Sequence, residues 1–273
     1  MIALLLACSA SEPPPTALAD SRLWVWRSPD RRTWTRDPEP LAEGFDSLGL
    51  AEVEPGVFRL SGLDHRRRVP GYERYLPLKT WGFEGDLDRW ERGSWAVDDA
   101  GTVNFVDPQW FEGQLFYTQR DGVGGDPALD QRPNALRSSP PPTTWRSGVG
   151  LADPSPVRFE DRFLLFATSW GKGVMLFEGE PLAEVKRFGG VTVPFSVVVE
   201  GELWLLAQQT LEGARQPVLA RSSDGRSWSS FERVLPADHG LKSCTSPVLA
   251  VRGEGGVLLC VEESLRPQGS PAQ

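Results

Sequence analysis

Two aspartates stand directly before proline at the head of an apolar run: Asp107 in VDPQWFEGQLFYT and Asp153 in ADPSPVRFEDRFLLFAT. A third, Asp46, heads FDSLGLAEVEPGVFRLSG without the proline. Carboxylates gathered in one pocket can divide acid and base work, one giving a proton while the other takes one or attacks. The same residues have a structural use, because an Asp at a strand start can cap its own turn through the backbone. Sequence spacing leaves both uses open for all three.

Composition narrows the chemistry further. The 273 residues carry 29 Lys and Arg against 37 Asp and Glu, a formal net charge of −8. Nucleic-acid surfaces need clustered cations over phosphates. The one basic run, Arg66-Arg67-Arg68, lies between turn-like GLDH and VPGY, so the charge argues against a nucleic-acid partner. His65 and His239 are the two histidines of the chain, isolated and without a Cys–His cluster, so no metal site is expected. No Walker loop, dinucleotide fingerprint or nucleophile elbow occurs. Gly122 to Gly125 form a lone glycine-rich turn with no helical pattern behind it, and no cofactor is expected. The 11 Trp serve either as repeated packing in a β fold or as platforms for a flat ligand. Trp81, in KTWGFEG, and Trp170, in TSWGKG, sit beside glycines in loop-like settings and are the stacking candidates.

The elements that must position these residues repeat along the chain. Residues 106–118, 152–168, 193–207 and 246–261 each read as an apolar run opened by proline, a Gly or charged tip, and a second apolar run. That pattern is a β-hairpin. Residues 45–62 are a fifth copy with Glu54-Pro55-Gly56 as its tip. Between the hairpins lies a strand ending in a polar turn and then Trp, clearest in LARSSDGRSW at 219–228 and close in LWVWRSPDRRTW at 23–34 and ALRSSPPPTTW at 135–145. LKTWGFEGDLDRW at 78–90 is a looser copy. A unit of about 40–50 residues holding several strands marks a β-propeller. The last hairpin has no Trp-turn strand after it, and the N-terminal strand has no hairpin before it. The expectation is all-β, a five-bladed propeller over 21–266, with the last blade closed by the N-terminal strand and a tail at 267–273.

The run DPSPVRFEDRFLLF at 153–166 resembles the blade-opening strands of five-bladed glycoside-hydrolase propellers, the group of arabinanases, xylosidases, invertases and levansucrases. The resemblance implies paired carboxylates at the starts of the inner strands, near the axis. Asp46 then falls near the base or nucleophile position, and Asp107 and Asp153 both fit the middle position. The family's general-acid Glu, within Glu-Gly-Pro, has Thr192-Val193-Pro194 opposite it here, and the last hairpin offers Thr245-Ser246-Pro247. Glu73, Glu84, Glu178 and Glu262 remain as possible replacements. His239, in PADHGLK, lies where related propellers can place a histidine near the axis. The implied partner is a carbohydrate, bound or hydrolysed. A propeller that lost catalysis and kept binding is the alternative. The Ser-x-Asp-Gly turns also resemble the Asp-box of sialidases, a weaker third reading.

The N-terminus reads MIALLLACSASEPPPT. Leu5-Leu6-Ala7-Cys8 resembles the lipobox of bacterial lipoproteins, which implies residues 1–8 as signal, Cys8 as the lipidated residue, 9–20 as a proline-rich tether, and a monomer held at the bacterial envelope by its lipid. The basic region of a signal is missing, which leaves open whether the true start lies upstream. Cys244 and Cys260 remain. Counting a constant rise along the last hairpin puts Cys260 opposite Leu249 and about five residues from Cys244, which predicts two buried thiols rather than a disulfide.

Overall fold

The computed structural model describes residues 21–64, 68–69, 74–75, 79–96, 105–119, 135–139, 143–145, 150–169, 171–179 and 181–263. Cys8, the tether, His65, Glu73, Gly122 to Gly125, Trp170 and the tail at 267–273 lie outside them, as does the side chain of Trp81. No described helix is long and apolar enough to cross a membrane.

The described chain is built from strands. It opens with β1 (Arg22–Ser28), β2 (Thr35–Arg36) and β3 (Ala42–Glu43). A first sheet follows, ordered β4 (Phe45–Glu54), β5 (Val57–Asp64), β8 (Lys79–Gly85) and β9 (Trp90–Ala96), with a small ribbon of β6 (Arg68–Val69) and β7 (Arg74–Tyr75) set between β5 and β8 in sequence. The second sheet runs β10 (Phe105–Phe111), β11 (Gln114–Gln119), β12 (Ala135–Ser139), β13 (Thr143–Trp145). The third runs β14 (Leu151–Phe159), β15 (Arg162–Ser169), β16 (Gly173–Glu178), β17 (Ala183–Phe188). The fourth runs β18 (Thr192–Val199), β19 (Glu202–Leu211), β20 (Ala214–Ser222), β21 (Glu232–Arg233). The chain ends with β22 (Thr245–Arg252) and β23 (Gly255–Glu262).

The structure bears out the all-β propeller and shows four regular blades where five were expected. Four sheets are single stretches of four antiparallel strands. The remaining sheet is composite and five-stranded, ordered β2-β1-β23-β22 with β3 also on β1. There β1 pairs with β23 from Arg22 opposite Glu262 to Ser28 opposite Gly256. The architecture is an all-β propeller. β4 packs on β10, β10 on β14, β14 on β18, β18 on β22, and β22 back on β4, so the first strands of the sheets close a ring. Apolar side chains alternate between the two faces of each sheet and fill the space between neighbouring sheets, as with Leu206, Leu258 and Leu60 and with Leu164, Phe166 and Leu205. All six are fully buried.

The polar turns before Trp share one geometry. The Asp30 carboxylate accepts the N–H groups of Arg32 and Thr33 at 2.9 and 2.7 Å. Asp86 does the same with Asp88 and Arg89, and Asp224 with Arg226 and Ser227. Hydrogen bonds to the charged form favour ionisation. The bonds from Thr33 and Arg32 hold the Asp30 carboxyl down at about 2, and the corresponding N–H groups depress Asp86 and Asp224. The Trp that follows packs inward. Trp228 stands edge-on to Phe166 and Phe188, with ring centroids 5.8 and 5.2 Å away.

Every inner strand starts with the same irregularity. Its pairing to the second strand skips between Asp46 and Gly49, Val106 and Gln109, Ala152 and Ser155, Thr192 and Phe195, and Thr245 and Val248. The residue just inside each skip is left-handed: Ser47 at φ 53°, Asp107 at 56°, Asp153 at 52°, Val193 at 51° and Ser246 at 47°. This is a β-bulge, which adds residues to one strand and re-aims its side chains. It also corrects the cysteine expectation. Leu249 pairs with Leu258 instead of Cys260, and the bulge adds one residue between Thr245, opposite Val261, and Val248, opposite Leu259, so Cys244 comes beside Cys260, with Cα atoms 5.3 Å apart, and the two form a disulfide. Both cysteines are fully buried.

Candidate functional site

The hairpin tips lie at one end of the ring and the bulges at the other. The bulge end gathers the sequence-derived carboxylates. Asp107 and Asp153 occupy the same left-handed position on neighbouring strands, β10 and β14, and both side chains are half-buried. The N–H of Asp153 donates to Asp107 Oδ2 at 3.3 Å and to Thr118 Oγ1 at 3.1 Å. The two residues therefore form one acidic patch across a sheet boundary. Proline behind each Asp fixes φ at the next position, which helps hold the bulge.

Asp46 is not the third copy of this position. It sits one residue earlier, level with Val106, Ala152, Thr192 and Thr245, and Ser47 takes the left-handed place. The Asp46 carboxylate accepts the Ser47 N–H and, at 3.2 Å, the Ser47 hydroxyl. Asp46 thus caps its own turn. Thr192 and Thr245 share its level, Thr245 on the neighbouring strand β22 and Thr192 on β18. Thr245 Oγ1 is committed to the Val261 carbonyl at 3.1 Å.

The inner strands are tied to each other beneath the patch. The Gln109 amide bridges Leu50, accepting its N–H at 3.0 Å and donating to its carbonyl at 2.8 Å. Ser61 donates to the Pro108 carbonyl at 2.7 Å. The Ser196 N–H reaches Ser155 Oγ at 2.7 Å. These bonds fix Asp107 and Asp153 on a rigid frame, which a binding constellation needs.

The other sequence candidates are placed elsewhere. His239 is 8% exposed and committed on both nitrogens: Nδ1 accepts the Leu241 N–H at 3.1 Å, and Nε2 lies 2.5 Å from Gln216 Oε1. With Nδ1 accepting, Nε2–H donates to Gln216. Burial lowers the histidine's pKa and keeps the ring neutral. Its ring also meets Trp26 edge-on, with centroids 5.9 Å apart. The possible replacement acids scatter. Glu84 pairs with Arg59 at 2.9 Å and Glu178 with Arg162 at 3.6 Å, both toward the hairpin-tip end. Glu262 bonds Trp24 Nε1 at 3.1 Å, in the third strand of the composite sheet. The carboxylate that does reach an inner-strand start is Glu263, which accepts from Thr245 Oγ1 at 3.3 Å and pairs with Arg215 at 2.9 Å. Its position just beyond the last strand gave no motif to read. No group of three metal-ligating side chains occurs among the described residues.

The far end of the ring has its own feature. A cavity of about 440 Å³ lies on the axis, lined by all five inner strands, with Leu50, Trp110, Val157, Val197 and Leu249 among its walls. At its mouth Arg158 grips Glu112 through two bonds of 2.6 and 2.7 Å.

No family model and no curated protein matches the chain. Solved structures do. A xylan β-1,4-xylosidase from Bacillus halodurans C-125 aligns with a TM-score of 0.55 at 18% identity, over 79% of this chain and 48% of that one. An exo-β-1,3-galactanase from Phanerochaete chrysosporium gives 0.52 at 13% identity, over 78% and 59%. An α-L-arabinanase from Cellvibrio cellulosa gives 0.51 at 12% identity, over 80% and 87%. At these identities the likeness is one of fold, and the chain has the all-β propeller fold of these glycan-cleaving enzymes.

Proposed function

We propose that the protein is a five-bladed propeller of the glycoside-hydrolase type that binds a glycan at the bulge end of its ring, the composite sheet being the fifth blade. The observation that carries this is the Asp107–Asp153 patch, two carboxylates presented by matched left-handed bulges at the end where the first strands converge. Ionised carboxylates accept strong hydrogen bonds from sugar hydroxyls. Binding without turnover fits the remaining strand starts, which supply Thr192 and Thr245 where an acid is required. The fold relatives point to xylan, β-1,3-galactan and α-1,5-arabinan as the glycans to try first. Asp107→Asn and Asp153→Asn should each weaken binding about ten- to hundredfold with thermal stability unchanged. Affinity electrophoresis in gels holding each polysaccharide reads this out. Unretarded migration of the unmodified protein in all three would sink the proposal.

A second reading, hydrolysis, is favoured by one observation: Glu263 brings a carboxylate to the Thr245 strand start. Release of reducing ends that disappears in Glu263→Gln would establish it.

We also propose an envelope location. Leu5-Leu6-Ala7-Cys8 supports it, and so does the Cys244–Cys260 disulfide, since such bonds persist in oxidising compartments. Expressed from its full reading frame in a bacterial host, the protein should take up labelled palmitate and partition with membranes. Cys8→Ser should be unlabelled and soluble, and equal labelling of both would overturn the anchor.

A further inference from the structure

The bulges are latched from sheet to sheet by one residue of the second strand. Thr118, paired with Val106, accepts the Asp153 N–H of the next sheet at 3.1 Å. Thr168, paired with Ala152, accepts the Val193 N–H at 2.8 Å. Both threonines are fully buried. The next position in this series, paired with Thr192, is Gln208. It faces the sheet that carries the Ser246 bulge, against which β19 packs. A glutamine amide lies two bonds further from Cβ than a threonine oxygen, so it overshoots the latch.

Gln208 is 8% exposed and Ser246 is 7% exposed. Among the described residues, neither the Gln208 amide nor the hydroxyls of Ser246 and Thr192 hydrogen-bond to the protein. These groups are not sealed in the way Ser169 Oγ is, whose oxygen has no solvent contact and no partner. Burying an amide with no partner costs about 1–3 kcal/mol, and a threonine here would avoid that cost as it does in the two sheets before. Two polar side chains more than nine-tenths buried and unpaired within the described protein, Gln208 on β19 opposite the start of β18 and Ser246 at the start of β22, are suited to an outside partner. An amide both donates and accepts, and the hydroxyls do the same, which matches the neighbouring hydroxyls of a neutral sugar and not an anion.

We propose that Thr192, Gln208 and Ser246 form the neutral half of the glycan site, with Gln208 the residue that binds and orients the sugar's hydroxyl pair. This rests on the glycan-binding reading above and adds the residues that select the sugar. The test uses the full chain with L-arabinose, D-xylose, D-galactose and their trisaccharides as probes. In the unmodified protein, the Gln208 side-chain NH₂ resonances should shift saturably with the sugar that binds. Gln208→Thr restores the latch found at Thr118 and Thr168, so its melting temperature should rise by about 2–4 °C while affinity falls at least tenfold. A lower melting temperature, a static Gln208 amide, or unchanged affinity in Gln208→Thr beside a lost affinity in Asp107→Asn overturns this inference and leaves the Asp patch standing. If no probe binds the unmodified protein, the glycan reading falls and takes this one with it.

Discussion

Cys260→Ala is expected to lower the unfolding free energy by about 3 kcal/mol, the entropy that a loop of this length loses when it is closed in the unfolded chain. The bridged residues are 16 positions apart. The bridge does more than close a hairpin. Cys260 pairs with Trp24 of β1, and the Cys244 N–H donates to the Arg215 carbonyl at 2.9 Å. One disulfide therefore sits where β1, β23, β22 and β20 meet. The melting temperature should fall by about 6–12 °C, and reductant should bring the unmodified protein to the same midpoint once urea exposes the sulfurs. Coincident urea curves for the two proteins under oxidising conditions would refute the bridge as a stabilising element.

Gly49→Ala is the second large effect. A Cβ at Gly49 would stand 2.1 Å from the Pro108 carbonyl oxygen and 2.7 Å from Gln109 Oε1. The first neighbour is backbone and cannot step aside alone. The β4–β10 boundary must open, and the Gln109–Leu50 bridge must stretch with it. Overpacking of this kind costs about 1–3 kcal/mol. Because Pro108 follows Asp107, the disturbance also reaches the acidic patch, and glycan binding should fall together with stability. Gly189→Ala is the control, since nothing lies within 4 Å of its Cβ. Equal melting temperatures for the two variants would show that the boundary yields freely and that the frame beneath Asp107 is soft.

Much of the architecture is legible in the chain because its signals are local. Apolar alternation, a charged or glycine tip and a second run describe β14 and β15 before any contact is known. The turn at Asp224 and its sister at Asp30 follow from Ser and Asp bonding nearby N–H groups. The site is less legible, because the bulge changes the count. Matching strand starts by their aspartates lines up Asp46 with Asp107. Matching them by the left-handed residue, which precedes Pro108, Pro154, Pro194 and Pro247, puts Ser47 there instead, although Leu48 stands where the others have proline. The same bulge helped hide the disulfide, since between Thr245 and Val248 the chain gains one residue on its ladder partner. Gln208 carried no signal at all in one dimension. Its meaning comes from Thr118 and Thr168, which share its place on other sheets and nothing of its sequence surroundings.

The sheet shared by both ends of the chain sets an order of events. Trp24 and Glu262 are bonded across 238 positions, so β1 has no β23 to pair with until almost the whole chain is available. Until then its apolar Leu23, Trp24, Val25 and Trp26, all buried in the finished protein, form a strand with an open edge, the kind of segment that recruits other chains. Contacts of such long range also slow folding. A chain made from its N-terminus onward must therefore keep that strand unpaired through synthesis, and the last hairpin to emerge is the one that ends its exposure. Under the envelope location proposed above, that delay is no handicap: the chain would cross the membrane as an open circle and join its ends afterwards.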